Sequence, residues 1–276
     1  IPMRHIVAAV ALACAFASTA SAQQIFHSVH SANLPTAETL PRGSWMFEIS
    51  HRFDPPVSDG AEALWGLDGP VRNRLGLSYS VSDRITLGVL RSNFQDNIEL
   101  NAKFVPISGG PDALPVKVGV MGGVAWNTHV GVVEGQTENE MQAYAQLIVN
   151  ALAGDRVALG VVPSYLYNRR LRDFDEEGTL SIGLNGQIFL TSSMSFLAEW
   201  IVVEEGLDIL TTTTVGATNR DAGSFGLEFT TRGHVFKLVL TNQNRMNPTQ
   251  FLGGAPFDFE PDEWRPGFNI TRVLPF

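Results

Sequence analysis

Charged residues recur at alternate positions in stretches that are otherwise apolar. Arg72 and Arg74 share one face of Val71-Arg72-Asn73-Arg74-Leu75-Gly76-Leu77. Glu99 and Lys103 do the same in Ile98-Glu99-Leu100-Asn101-Ala102-Lys103-Phe104, and Glu48 and Arg52 in the stretch from Trp45 to Phe53. Glu199 and Glu228 occupy matching positions further on. Charges on one face of strands that close into a barrel lie in the lumen, where they tune which solutes pass. They can equally pair across a narrow lumen and fill it. Both readings stand at this level.

Other constellations carry less. His51-Arg52-Phe53 closes a strand; it reads as an anion site at a loop rim or simply as a strand end. In Arg232-Gly233-His234 the glycine suits a tight turn with positive φ, and no second histidine lies near in sequence. A barrel lipid hydrolase needs a serine and histidine placed together, and the pattern of a histidine two before Ser-Asn-Gly is absent. Asp173, Asp175, Glu176 and Glu177 read as a solvated loop. Asp258, Glu260, Asp262 and Glu263 invite calcium, but without the glycine turn of an EF-hand. No catalytic residue, metal ligand or cofactor is assigned.

These residues are positioned by strands. From Gly43 onward apolar and polar residues alternate, with Trp45, Phe47 and Ile49 opposite Ser44, Glu48 and Ser50. Similar stretches recur at 71–80, 84–92, 97–106, 115–127, 140–150, 156–168, 179–190, 193–204, 223–231, 234–243 and 266–276. That makes about 12 strands, near the ~9–11 residues a tilted strand needs to cross a bilayer. Connections after even strands are mostly short, such as Val81-Ser82-Asp83 and Arg232-Gly233; those after odd strands are mostly long, such as 54–70 and 205–222. Short turns at one rim and long loops at the other mark a membrane barrel. Trp45, Trp126, Tyr165, Tyr167 and Trp200 stand near strand ends, where aromatic girdles form. The expected fold is all-β: a closed antiparallel transmembrane β-barrel of about 12 strands, with short periplasmic turns and long extracellular loops.

The N-terminus reads as a secretory signal: Met3-Arg4-His5, an apolar run to Ala17, and the cleavage site Ala20-Ser21-Ala22. Residues 1–22 are expected to be removed, 23–42 to form a periplasmic N-terminal segment that precedes or partly enters the barrel, and 43–276 to form the barrel. Cys14 lies within the expected signal, so the exported chain has no disulfide and no thiolate. Charged residues make up 17% of the 276 and the net charge is −9. The negative balance argues against nucleic acid as a partner.

The chain also resembles the bacterial β-barrel family known as domain of unknown function 5777. The resemblance rests on Asn33-Leu34-Pro35-Thr36-Ala37-Glu38-Thr39-Leu40, Gly43, His51-Arg52-Phe53, Leu64-Trp65-Gly66-Leu67-Asp68, Arg72, Tyr79, Gly88, Arg91-Ser92, Gly233-His234-Val235-Phe236-Lys237-Leu238, Thr241-Asn242 and Gly267-Phe268-Asn269-Ile270-Thr271-Arg272. It implies an outer-membrane-type barrel and no reaction.

The chain closes on an apolar row, Phe268, Ile270, Leu274 and Phe276, which resembles the terminal signal that outer-membrane barrels present to their assembly machinery. Arg272 interrupts the row. A bulge at Pro275 is expected to turn it into the lumen near Glu48. The leading functional expectation is a passive, porin-like channel or transporter for a small polar solute in the bacterial outer membrane. The partners are outer-membrane lipid and the assembly machinery. A structural, adhesive or partner-docking barrel is the alternative, and a barrel-embedded hydrolase comes third.

Overall fold

The computed structural model describes residues 24–109, 115–129, 141–168, 178–203 and 220–274. The signal-like leader, the acidic stretch 173–177, Pro275 and Phe276 lie outside them. Twelve strands follow in order: β1 Trp45–Phe53, β2 Val71–Ser82, β3 Ile85–Ser92, β4 Asn97–Ser108, β5 Val116–Asn127, β6 Met141–Ala153, β7 Val157–Tyr167, β8 Thr179–Phe189, β9 Met194–Val203, β10 Ala222–Thr230, β11 His234–Thr241 and β12 Arg265–Leu274. Each strand pairs with its sequence neighbours, and β1 pairs antiparallel with β12, so the sheet is a closed barrel. Closure satisfies every ladder and leaves no edge.

Side-chain parity decides which face meets which solvent. On β8, Leu180, Ile182, Leu184 and Ile188 point outward and are 46–57% exposed. Thr179, Ser181, Asn185 and Gln187 point inward and are buried. A water-soluble barrel places these rows the other way round. An apolar belt facing out with polar residues facing in is the arrangement lipid requires. Trp126 and Tyr165 lie exposed near the long-loop ends of β5 and β7, and Trp45 at the short-turn end of β1.

Two ladders carry irregularities, both near the short-turn rim: between Ser80 and Ser82 on β2, and between Phe104 and Ile107 on β4. The second spans Pro106, which has no N–H to donate.

The closing strand is regular, which corrects the expectation for Arg272. The pairing runs without a shift from Trp45↔Leu274 to Arg52↔Gly267. Phe268, Ile270 and Arg272 therefore share the outward face, while Asn269 and Thr271 are buried inside. Arg272 pairs across to His234, the first residue of β11, and its guanidinium Nη1 lies 2.7 Å from His234 Nε2. The site is near the rim, where an outward arginine costs little, so no bulge is needed.

The lumen is occupied from both rims. Residues 24–40 fold back inside the barrel, the second of the two arrangements expected for the N-terminal segment, and they enter almost entirely. They double over as a hairpin: His30 bridges Pro35, Ser31 N–H donates to the Leu34 carbonyl, and Thr36 N–H donates to the Val29 carbonyl. The tip, Ser31 to Leu34, lies deep, and Ala32 and Leu34 are fully buried. The hairpin leaves over the short-turn rim, where Gly43 N–H donates to the Ser80 carbonyl and Arg42 N–H to Asp83 Oδ1. From the other rim, the connection between β11 and β12 dips inward. Its residues 246–255, including the one-turn helix Pro248–Phe251, are buried.

Candidate functional site

The barrel wall meets the hairpin largely through charged groups that bond its backbone. Glu199 on β9 accepts from Asn33 N–H at 2.9 Å, Asn33 Nδ2 at 2.8 Å and Leu34 N–H at 3.1 Å. Arg52 donates from Nη2 to the Ala32 carbonyl at 3.2 Å and to Asn33 Oδ1 at 3.3 Å. Asn269 on β12 adds a bond to the same Ala32 carbonyl. The hairpin tip is thus gripped by β1, β9 and β12 together.

Its two legs are held in the same way. Lys103 Nζ donates to the carbonyls of Thr36 and Glu38 at 3.0 and 2.6 Å. Lys237 Nζ donates to the His30 carbonyl at 2.6 Å and lies 3.5 Å from Glu228. Glu228 accepts from Ser28 Oγ at 2.7 Å and lies 3.6 Å from His27 Nδ1. His30 Nε2 lies 3.1 Å from Glu48. Glu38 accepts from the Ile25 and Phe26 amides and pairs with Lys117 at 2.6 Å. Side chains also interlock: Gly183 on β8 leaves room for Leu34, whose Cδ2 lies 2.6 Å from where a Cβ would stand.

The second occupant uses other means. Arg74 donates to the Met246 carbonyl at 2.5 Å and pairs with Glu48. Glu99 accepts from Tyr144 Oη at 2.9 Å and from Thr249 Oγ1 at 3.3 Å. Asn247 donates to Asn97, and Gln243 to the Gly254 carbonyl. Phe251, Leu252 and Ala255 pack with Tyr144, Ile148, Val162 and Ile201 in an apolar cluster that Leu34 and Ala37 join.

Inside, Arg52, Arg74, Lys103, Lys117 and Lys237 are matched by Glu38, Glu48, Glu99, Glu199 and Glu228, all buried. Buried charges are costly unless paired and hydrogen-bonded, and here they are shared between wall and hairpin or loop. A cavity of ≈ 80 Å³ remains between them, bordered by His30, Glu48, Arg74, Asn101 and Lys103. That is room for several waters at ~10–15 Å³ each. Burial, with the charge of Lys237 adding to it and Glu48 opposing, lowers the His30 pKa below the ordinary histidine value.

Seven of the eight charges read from parity are in the lumen and touch the hairpin or the inward loop. Arg72 alone stands at the long-loop rim, half exposed, 3.3 Å from Asp54. Lys117, Lys237, Glu38 and His30 complete the set. Alternation predicts the inward direction of Lys117 and Lys237, since Val116, Val118, Phe236 and Leu238 flank them. Nothing local marks Glu38 or His30, which matter only once the hairpin is inside.

The remaining candidates are separated. His51 and Arg52 are adjacent in a strand and so face opposite ways: His51 packs on Phe268 outside, at 4.5 Å between ring centres, while Arg52 is buried inside. Asp258 pairs with Arg220, and Glu263 with Arg265. Among the described residues no group of three or more His, Cys, Asp or Glu side chains converges to hold a metal ion.

Comparison with curated proteins gives no match. Among solved structures, the NanC porin shares 9% identity at a TM-score of 0.49, covering 84% of this chain and 99% of its own. The COG4313 outer membrane channel from Pseudomonas putida F1 shares 12% at 0.48, covering 86% and 98%. LpxR from Salmonella typhimurium shares 12% at 0.38, covering 84% and 100%. Likeness at this level concerns barrel shape and says nothing of solute or reaction. The closed sheet, its outward apolar belt and a sequence match over residues 26–274 agree on identity: the chain belongs to the family of membrane-bound β-barrel domains designated DUF5777.

Proposed function

We propose that the protein is a channel for small polar solutes in the bacterial outer membrane, closed in this state by the hairpin of residues 24–40. The observation that carries the reading is the way the hairpin is held. Wall side chains bond its backbone and polar groups, as Glu199, Arg52 and Lys103 do, and the hairpin is tied to the barrel at its Arg42 end, where it runs into β1. A segment fastened by polar bonds exchanges them for water when it leaves, so its net cost of release is far below the sum of its contacts. The wall it uncovers carries Gln187, Glu199, Glu228 and Asn269, which bond the hairpin, beside the apolar Leu152, Ala158, Leu197 and Val239; the polar groups give a hydrated solute partners. Outer-membrane lipid and the barrel assembly machinery are the partners this reading implies.

Planar-bilayer recording is the test. The full chain gives rare openings. Glu199→Ala, which strips three bonds from the hairpin tip, gives frequent discrete conductance steps. Persistent silence from Glu199→Ala, and from a chain lacking residues 24–40 that still folds as a heat-modifiable barrel, overturns the reading. A second reading is favoured by the loop 246–255, which fills the lumen from the opposite rim: a barrel that transports nothing and serves through its long loops. Silence of both variants is the result that reading expects.

A further inference from the structure

The long-loop rim holds a cationic cluster that neither the hairpin nor the inward loop uses up. Arg72, at the start of β2, and Arg245, in the connection after β11, both lie over the ring of Phe94, their guanidinium carbons 5.1 and 5.0 Å from its centre. Phe94 sits in the single-turn connection between β3 and β4. Two connections and the start of β2 therefore converge at this point. Two like charges on one ring repel each other, and a cation–π contact compensates only part of that. Arg72 has a carboxylate, Asp54, at 3.3 Å, but Asp54 is also engaged by Asn244 Nδ2 at 2.8 Å. Among the described residues Arg245 has no ion-pair partner. Burial, and secondly the charge of Arg72, pull its pKa down to about 10, so it is still cationic at neutral pH.

The neighbours point the same way. Arg91 is neutralised by Asp96 at 2.7 Å, and Arg265 by Glu263 at 2.9 Å. Among the described residues of this rim Arg245 is left without a carboxylate, beside a second guanidinium and next to the loop that enters the lumen. Guanidinium forks pair with planar and tetrahedral oxyanions through two parallel N–H bonds. Arg72 belongs to the inward-facing row of β2 with Arg74, so the cluster addresses the mouth and not the lipid belt.

We infer that Arg72 and Arg245, braced on Phe94, form an oxyanion-binding site at the long-loop mouth, taking a small soluble carboxylate or phosphate. The inference deepens the channel reading by giving the solute a negative charge, and it rests on that reading for its purpose. Binding itself needs no open lumen, so the two fail separately.

The experiment is calorimetric titration of the full-length protein in a non-ionic detergent with inorganic phosphate, with gluconate, and with glucose as the uncharged counterpart of gluconate. Heat-modifiability on gels confirms that each variant is a folded barrel. Saturable binding of phosphate or gluconate, but not glucose, is expected for the wild type. Arg245→Gln weakens it at least tenfold. Arg245→Lys, which keeps the charge but not the fork, loses less. Arg91→Gln, at an exposed arginine that already has its carboxylate, leaves it unchanged. Adding vesicles of phosphatidylglycerol leaves the phosphate isotherm unchanged if the site takes soluble anions. Competition by the vesicles overturns that assignment in favour of a lipid headgroup. Absence of saturable binding by the wild type, or equal losses in Arg245→Gln and Arg91→Gln, overturns the site. Conductance of Glu199→Ala is read separately, so a silent channel that still binds anions sinks only the transport reading.

Discussion

The hairpin of residues 24–40 and the inward loop of 246–255 both enter the lumen, yet they are held there by different means. The hairpin is anchored by wall charges on its carbonyls and amides, with Leu34 and Ala37 as its apolar share of the main cluster and Ile25 and Phe26 in a smaller one with Leu152 and Ala158. It continues into the barrel at one end. The loop is tied at both ends, to β11 and β12, and contributes Phe251, Leu252 and Ala255 to the apolar cluster. Charged bonds are exchanged for water at modest net cost, while buried apolar area has no such alternative. On the channel reading proposed above, the hairpin, joined to the barrel at one end and rich in polar bonds, is the part that leaves, and the loop, tied at both ends, stays with the wall.

The largest expected effect is removal of residues 24–40. Single-channel recording goes from near silence to steady steps; a silent folded barrel makes hairpin and loop equally permanent and dissolves the comparison. Next, Phe251→Ala costs about 3–5 kcal/mol of barrel stability, as other buried phenylalanines do. Thermal unfolding measures it, and conductance stays low. A channel opened by Phe251→Ala reverses the roles of the two segments. Glu199→Gln keeps the shape but removes the charge, weakening hairpin docking by roughly 1.5–3 kcal/mol, the range for a bond to a charged group. Protease cleavage within 24–40 reads it.

pH sharpens the same contrast. His30 has its pKa lowered in the docked hairpin, so the released hairpin binds the proton more readily. Docking is at full strength above the ordinary histidine value near 6.5 and weakens as pH falls below it. Open probability therefore rises on acidification. His30→Gln flattens that dependence, whereas a slope that survives in His30→Gln assigns it elsewhere. The smallest effect belongs to the outer face. Arg272→Leu changes stability by about 0–1 kcal/mol, the value for a charge near the interface, whereas Leu75→Arg on the lipid-facing row of β2 costs up to about 2–4 kcal/mol. Urea unfolding in vesicles compares the two, and a gain from Arg272→Leu as large as the loss from Leu75→Arg would place Arg272 deep in the bilayer.

Much of this was legible in the chain. A strand alternates its side chains with a period of two whatever surrounds it, so the strands, their inward charges and the short and long connections follow from local pattern. Arg72 and Arg74 lie in one row for that reason, and His51 and Arg52 could not share a site for the same reason. Periodicity says nothing about distance across a lumen. Whether Glu199 faces water, Arg52 or the amide of Asn33 depends on a segment about 165 residues away. That segment, 24–40, has no strand period to announce where it goes.

Arg272 shows the same divide at single-residue scale. Parity alone points it outward, and the expected bulge that would have turned it inward is not there in the regular pairing of β12 with β1. Whether that direction is costly depends on its depth, and depth comes from the register with His234 and Phe47 across two neighbouring strands. Local alternation chooses the face of every residue because the backbone geometry is local. Which charges meet, and whether the lumen stands empty, depend on contacts between segments far apart in sequence, which form only when the barrel closes.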